Sequence, residues 1–167
     1  APIAAQAAAI AGVSRVRTIA NAANANAIAA IYAPQVVAIA GDYTHVFGAS
    51  TTVGKDLMPR IAALLGVSQL SDIMAADDAH TFKRPIYAGN AIVTVKAPAG
   101  QIVVATVRTA SFAAAGGGGS ASVEAVAIEV ALPTHTRYVN LQQGGGDRPD
   151  LQTARIVVSG GRALGSA

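Results

Sequence analysis

The 167-residue chain is 52% hydrophobic and 13% charged, which indicates a folded globular protein and excludes an intrinsically disordered one. The formal net charge of +3 comes from 12 basic residues scattered singly or in pairs, without the basic stripe and interleaved aromatics of a nucleic-acid-binding surface. There is no cysteine, which excludes disulfides, thiolate metal sites and thiol nucleophiles.

The first half of the chain alternates helices with short apolar strands. Helices are predicted over Ala4–Gly12, Ala25–Ala40 and Thr52–Leu65, and strands over Val16–Ala20 and Thr44–Ala49. Pro34 and Pro59 are expected at helix boundaries or kinks, because proline lacks a backbone N–H. This alternation is typical of α/β proteins, so we predict three layers, with a mostly parallel sheet and helices on both faces.

The second half is predicted to be mainly strands. The β-branched and aromatic runs are Ile73–Ala76, Phe82–Tyr87, Ala91–Lys96, Ile102–Thr109 and Val123–Val130. A glycine-rich stretch at residues 141–153 is predicted to be a linker, which makes residues 1–140 one α/β domain. Residues 154–167 then begin a second α/β domain, with a first strand at Ile156–Val158 and a glycine turn after it.

No membrane span or targeting segment is predicted. The apolar runs are shorter than the roughly 18 residues that a spanning helix needs. The start of the chain lacks the methionine and basic residues of a secretory signal and the composition of a transit peptide, and it reads as an internal segment.

The stretch Gly48–Asp56, GASTTVGKD, resembles a phosphate-binding loop but departs from its pattern. Five residues instead of four separate Gly48 from Gly54, and Asp56 stands where a magnesium-binding hydroxyl belongs. We interpret it as a strand-to-helix turn whose helix is capped by Ser50, Thr51 or Thr52.

Other possible catalytic or metal-binding groups are isolated. The three histidines, His45, His80 and His135, are far apart in sequence and form no metal-ligand spacing. Asp77 and Asp78 would point to opposite faces of an extended segment, so a solvated turn is predicted there instead of a carboxylate pair. No serine lies in a G-x-S-x-G elbow, and we therefore predict neither a metal site nor a hydrolase.

The segment from Thr81 to Lys96 contains a predicted exposed turn. Pro85 fixes the backbone, and Gly89 with Asn90 can accept a positive φ. Arg84 to Asn90 is expected to form an ordered turn at the edge of the main sheet, without a bound small molecule.

Several separated motifs resemble the alpha subunit of electron transfer flavoprotein. They are GKDLMPR (54–60), RPIYAGNA (84–91), TVRT (106–109) and VVSGGR (157–162), and the match runs in order from Tyr43 to Ser166. The first 42 residues are compatible with that family but less distinctive.

The resemblance implies an FAD-containing electron carrier that passes electrons from flavin dehydrogenases to a quinone oxidoreductase or another acceptor, with no substrate turnover of its own. It implies a beta-subunit partner and a location in the bacterial cytoplasm or the mitochondrial matrix. The FAD pyrophosphate would be contacted by the S-G-G-R turn, Ser159, Gly160, Gly161 and Arg162, because glycine amides and a guanidinium suit that group.

The family pattern is not matched throughout. Ala163 replaces a usual glycine after the S-G-G-R turn, and the family's first strand is expected before Ala1. Because the other FAD-binding segments of the family are absent from this sequence, the chain alone is expected not to retain FAD. Two alternatives are a non-catalytic subunit-interaction module and an adenine-nucleotide-binding α/β domain.

Overall fold

The computed structural model describes residues 2–26, 28–142, 149, 151 and 154–165. Its α-helices are α1 (Pro2–Ala8), α2 (Ala29–Ala40) and α3 (Thr52–Leu65). Its strands are β1 (Arg15–Thr18), β2 (His45–Ala49), β3 (Gln69–Ile73), β4 (Ala75–Ala76), β5 (Thr81–Ile86), β6 (Ala91–Lys96), β7 (Val103–Val107) and β8 (Ser122–Ala125).

The strands form three sheets, two of them parallel. β1 pairs with β8, and the central sheet has the order β2-β7-β3 with β7 parallel to both neighbours. β4, β5 and β6 form an antiparallel sheet. The predicted α/β fold, with mostly parallel sheets flanked by helices, is confirmed.

The two faces of β7 carry the core. Val104 packs with Ala33 of α2 and with Met58 and Ile61 of α3, so the two helices cover one face of the central sheet. Val103 and Ala105 pack on the opposite face, where the buried partners include Phe82 of β5. Successive residues of a strand point to opposite faces, which explains why β7 is buried on both sides. The antiparallel sheet therefore covers the face that α2 and α3 leave open.

The helix ends follow local sequence signals. Thr51 caps α3, its hydroxyl accepting from Gly54 N–H, and Gly66 ends the helix in the left-handed conformation with φ +69°. This confirms the capping interpretation of the Gly48–Asp56 stretch and the predicted end of the helix at Leu65. Pro34 and Pro59 lie inside α2 and α3, so neither proline marks a helix boundary, and a kink is the one of the two expected alternatives that remains.

The predictions missed most of β3. A strand was expected over Ile73–Ala76, whereas β3 spans Gln69–Ile73 and Ala75–Ala76 forms the separate β4. Ser71 and Asp72 lack the apolar β-branched character that marks a strand, and the pairing of β3 with β7 shifts register between Leu70 and Ile73.

The part of the chain covered by the structure contains no helix long and apolar enough to cross a membrane. Most of the predicted linker at 141–153 lies outside the described residues.

Candidate functional site

The predicted flavin-contacting residues, Ser159 to Arg162, lie in one exposed segment that leads into a turn. Gly161 precedes a single 3-10 turn, Arg162–Leu164, which is closed by a hydrogen bond from Leu164 N–H to the Gly161 carbonyl at 3.0 Å. Ser159, Gly160 and Arg162 are exposed. The geometry presents a guanidinium beside a glycine backbone, which are groups that can bind a pyrophosphate, but the described residues do not enclose a ligand there.

The strand expected immediately before this turn is not formed. Residues Ile156–Val158 have no strand partner among the described residues, and Val158 is 93% exposed. A strand needs a neighbour to satisfy its N–H and C=O groups, and a β-branched run alone does not supply one.

A concave surface lies elsewhere, at the carboxyl ends of β2, β7 and β3. We call it the strand-end crevice. Its volume is about 520 Å³, and it is lined by Ser50, Thr51, Thr52, Lys55, Asp72, Arg108, Thr109 and Ala110. Ser50 N–H donates to the Val107 carbonyl at 2.8 Å, which holds the β2–α3 loop against the end of β7.

A short glycine-dependent contact positions the β2–α3 loop. Gly54 is buried in the first turn of α3, and a Cβ built there would lie far inside van der Waals contact with the Ala49 carbonyl oxygen. Gly48 approaches α3 in the same way, with a built Cβ only 2.7 Å from Met58 Sδ. The glycines of this stretch thus serve helix-to-strand packing.

An ion pair forms the opposite wall of the crevice. Arg108 Nε donates to Asp72 Oδ2 at 3.1 Å, and Arg108 Nη2 donates to the same oxygen. Asp72 has φ +58°, and its N–H donates to the hydroxyl of the buried Thr106 at 2.8 Å. The irregularity in β3 therefore turns the Asp72 carboxylate toward the end of β7, as bulges beside sites commonly do.

The pKa of Asp72 is lowered, and the main cause is the hydrogen bond from Arg108. The Ser50 hydroxyl and the charge of Lys55 also lower this pKa, whereas desolvation of the carboxylate raises it. Folded Asp72 thus binds its proton more weakly than the unfolded residue does. Its stabilising contribution is fully present above the unfolded pKa of about 3.8 and is lost as the pH falls through the lower folded value.

We therefore predict that Asp72→Asn reduces the acid sensitivity of folding. The free energy of unfolding in urea should fall between pH 5 and pH 2.5 for the parent chain, and less steeply for the variant. Asp56→Asn, an exposed change of equal charge on α3, is the control. Equal pH slopes for parent and Asp72→Asn would contradict the assignment.

The other candidate carboxylates take separate partners. Asp78 Oδ1 accepts from the N–H groups of His80 and Thr81 at 2.7 and 2.8 Å, and Asp77 Oδ1 accepts from Lys83 Nζ at 3.0 Å. This is the predicted turn. His45 Nε2 and the Ala79 carbonyl oxygen are 2.7 Å apart. No group of three or more potential metal ligands occurs within the described residues.

The turn joining β5 and β6 is ordered, as expected, but it closes the antiparallel sheet and does not lie on the central one. Tyr87, Ala88 and Gly89 all have positive φ, between 49° and 92°. The prediction gave this conformation to Gly89 and Asn90, whereas Asn90 has φ −70° and its side chain donates to the Tyr87 carbonyl at 2.9 Å.

Ala88 has φ +55°, so replacing it with glycine is expected to stabilise the folded chain. Ala88→Gly should raise the free energy of unfolding by about 1 kcal/mol, because an L-residue is strained in this conformation. The control Ala91→Gly, in β6, should lower it, because glycine weakens a strand. Urea unfolding of both variants measures the difference, and a destabilised Ala88→Gly would contradict the backbone assignment.

Sequence reasoning missed Asp72 and Arg108 as a pair. The two residues are 36 positions apart. The TVRT motif, which contains Arg108, was the one feature of the sequence that could have indicated a site at this position.

Comparison with known proteins finds a matching family and similar proteins. Residues 1–133 match the family model "Electron transfer flavoprotein domain". The chain is 49% identical over 161 residues to the electron transfer flavoprotein subunit alpha of Paracoccus denitrificans, covering 96% of this chain and 52% of that protein. It is 46% identical over 165 residues to the subunit alpha of Pseudomonas aeruginosa, covering 98% and 53%.

A mitochondrial electron transfer flavoprotein subunit alpha from Dictyostelium discoideum is 45% identical over 131 residues, covering 74% of this chain and 37% of that protein. The chain thus spans about half the length of the two bacterial relatives. From the family-model match and from identities near one half over almost its whole length, the chain belongs to the electron transfer flavoprotein family.

Proposed function

We propose that the chain is part of the alpha subunit of an FAD-containing electron carrier. The carrier takes electrons from flavin dehydrogenases and passes them to a quinone oxidoreductase or another acceptor, and it turns over no substrate of its own. The observation that carries this proposal is the 49% identity to a named alpha subunit over 96% of the chain.

The FAD contact is assigned to Ser159, Gly160, Gly161 and Arg162. Exposed glycine amides and an arginine that forms no ion pair within the described residues suit the negatively charged pyrophosphate. When bound, FAD supplies the redox chemistry, and these residues would hold its phosphates and orient it. Loss of FAD from the isolated 167-residue chain stays a prediction.

The partner is proposed to be a beta subunit, as the "subunit alpha" names of the relatives imply for those proteins. The named relatives include bacterial and mitochondrial proteins, which supports a bacterial cytoplasmic or mitochondrial matrix location.

The test uses Arg162→Ala in the complete reading frame, co-expressed with a beta subunit. The variant should retain FAD at least about tenfold more weakly, since a hydrogen bond from a charged group contributes about 1.5–3 kcal/mol. Arg155→Ala removes an exposed arginine seven positions earlier and should leave flavin retention unchanged.

Flavin absorbance after desalting measures retention, and stopped-flow reduction by a flavin dehydrogenase measures electron acceptance. A purified assembly without flavin would contradict the carrier proposal. Equal flavin loss from both arginine variants would contradict only the site assignment.

An interaction module without flavin chemistry is the second candidate. It is favoured by Phe47, which is 49% exposed on β2, a strand with β7 as its one partner in the described sheets. An exposed aromatic on an open sheet edge is a typical protein-contact feature. A beta-subunit complex that forms stably yet never carries flavin would support this second candidate.

A further inference from the structure

The strand-end crevice has no role in the proposed flavin contact, because none of its lining residues lies in the segment 154–165. It is formed where three parallel strands end, which is the usual position of ligand sites in α/β sheets. Its volume of about 520 Å³ is within the range of small-molecule pockets.

The charged side chains that line the crevice carry a net positive charge. Two cationic side chains, Lys55 and Arg108, face one carboxylate, Asp72. Arg108 is occupied by Asp72, whereas Lys55 is exposed and forms no ion pair with any described residue. One unneutralised cation thus borders the cavity, and an anion would complete the pairing.

The remaining lining offers hydrogen-bond donors. The side chains of Ser50, Thr51, Thr52 and Thr109 are hydroxyl groups. The Ser50 hydroxyl oxygen is buried and forms no hydrogen bond of standard geometry within the described structure, but it lies close enough to Asp72 for hydrogen bonding to lower the pKa of that carboxyl.

We propose that the strand-end crevice binds the phosphate group of a small phosphomonoester, such as a sugar phosphate or a nucleoside monophosphate. Lys55 supplies the charge, and the hydroxyl-bearing β2–α3 loop supplies the donors. Asp72, fixed in place by Arg108, offers acceptor oxygens to hydroxyl groups on the rest of the ligand. The crevice binds its ligand whether or not the protein carries flavin.

The proposal is tested by calorimetric titration of the 167-residue chain, without FAD, in a chloride buffer free of phosphate. The probes are inorganic phosphate, ribose 5-phosphate, AMP and ribose. Saturable binding is expected for the three phosphates and none for ribose. Stronger binding of AMP than of ribose 5-phosphate assigns a nucleotide, and equal binding assigns a phosphate-and-sugar site.

Lys55→Ala should weaken ribose 5-phosphate binding about tenfold or more, and Lys55→Arg should retain most of it. Lys96→Ala, an exposed lysine on β6, is the matched control and should leave binding unchanged. Thermal unfolding of each variant checks that the fold is intact. Absence of saturable phosphate binding, or binding equal in the parent chain and Lys55→Ala, overturns the proposal.

Discussion

Gly54→Ala should destabilise the chain by about 3 kcal/mol or more, the upper range for overpacking a close-packed site. The added methyl group would overlap the Ala49 carbonyl oxygen, a backbone atom that cannot rotate away. Relief requires α3 to move off the end of β2. That movement would disturb Met58 and Ile61, which pack on Val104 in the helix-facing core.

Gly41→Ala is the matched control for this prediction. Gly41 follows α2 with φ −60° and ψ −20°, and a Cβ built there meets nothing within 4 Å. Alanine at such a position should raise stability by about 0.4–1 kcal/mol by restricting the unfolded chain. Urea unfolding of the two variants should therefore give changes of opposite sign, and two similar values would contradict the Gly54 packing.

The elements that the sequence predicted best are those with signals inside themselves. α3 has a threonine cap at one end and a glycine stop at the other, and its bounds agree with the prediction. β6 alternates half-buried and exposed residues along a β-branched run, and its bounds also agree with the prediction. In both cases local geometry decides the element, so neighbouring residues suffice to find it.

The strand-end crevice could be predicted only in part. Ser50 follows the predicted strand Thr44–Ala49, and Arg108 lies next to the last residue of the predicted strand Ile102–Thr109. Parallel strands bring their carboxyl ends to one edge of a sheet. Asp72 was placed wrongly, because the strand was expected to begin at Ile73, which puts Asp72 at its amino end. Its actual position depends on Thr106 and Arg108, more than 30 residues away, and no local pattern reports those contacts.

The prediction of a strand at Ile156–Val158 was wrong for a related reason, because a strand needs a neighbouring strand to pair with. The composition of Ile156–Val158 favours an extended backbone, but pairing is a property of the neighbouring chain. The same limit applies to the layer opposite α2 and α3. Phe82 was expected in a strand, yet nothing in its surroundings in sequence indicated that it would cover the central sheet.

Phe82→Ala should lower the free energy of unfolding by about 3–5 kcal/mol, the usual cost of deleting a buried aromatic ring. Phe82 is 2% exposed and packs with Ile73, Val103 and Ala105, so it joins the antiparallel sheet to the central one. Few large side chains are available to fill the space, because the chain is only 4% aromatic.

Phe47→Ala provides the comparison within the same contact. The Phe47 and Phe82 rings meet edge to face with centroids 6.2 Å apart, but Phe47 is 49% exposed. Removing the Phe47 ring loses the aromatic contact and the burial of part of the ring, so a loss of about 1–2 kcal/mol in the free energy of unfolding is expected.

Amide hydrogen exchange distinguishes the effects of the Phe82→Ala and Phe47→Ala substitutions further. Phe82→Ala should loosen β5 and β6 as well as β7, since the covering sheet loses its main anchor, whereas Phe47→Ala should leave β5 and β6 protected. Protection of β5 and β6 unchanged in Phe82→Ala would show that other contacts hold the antiparallel layer in place.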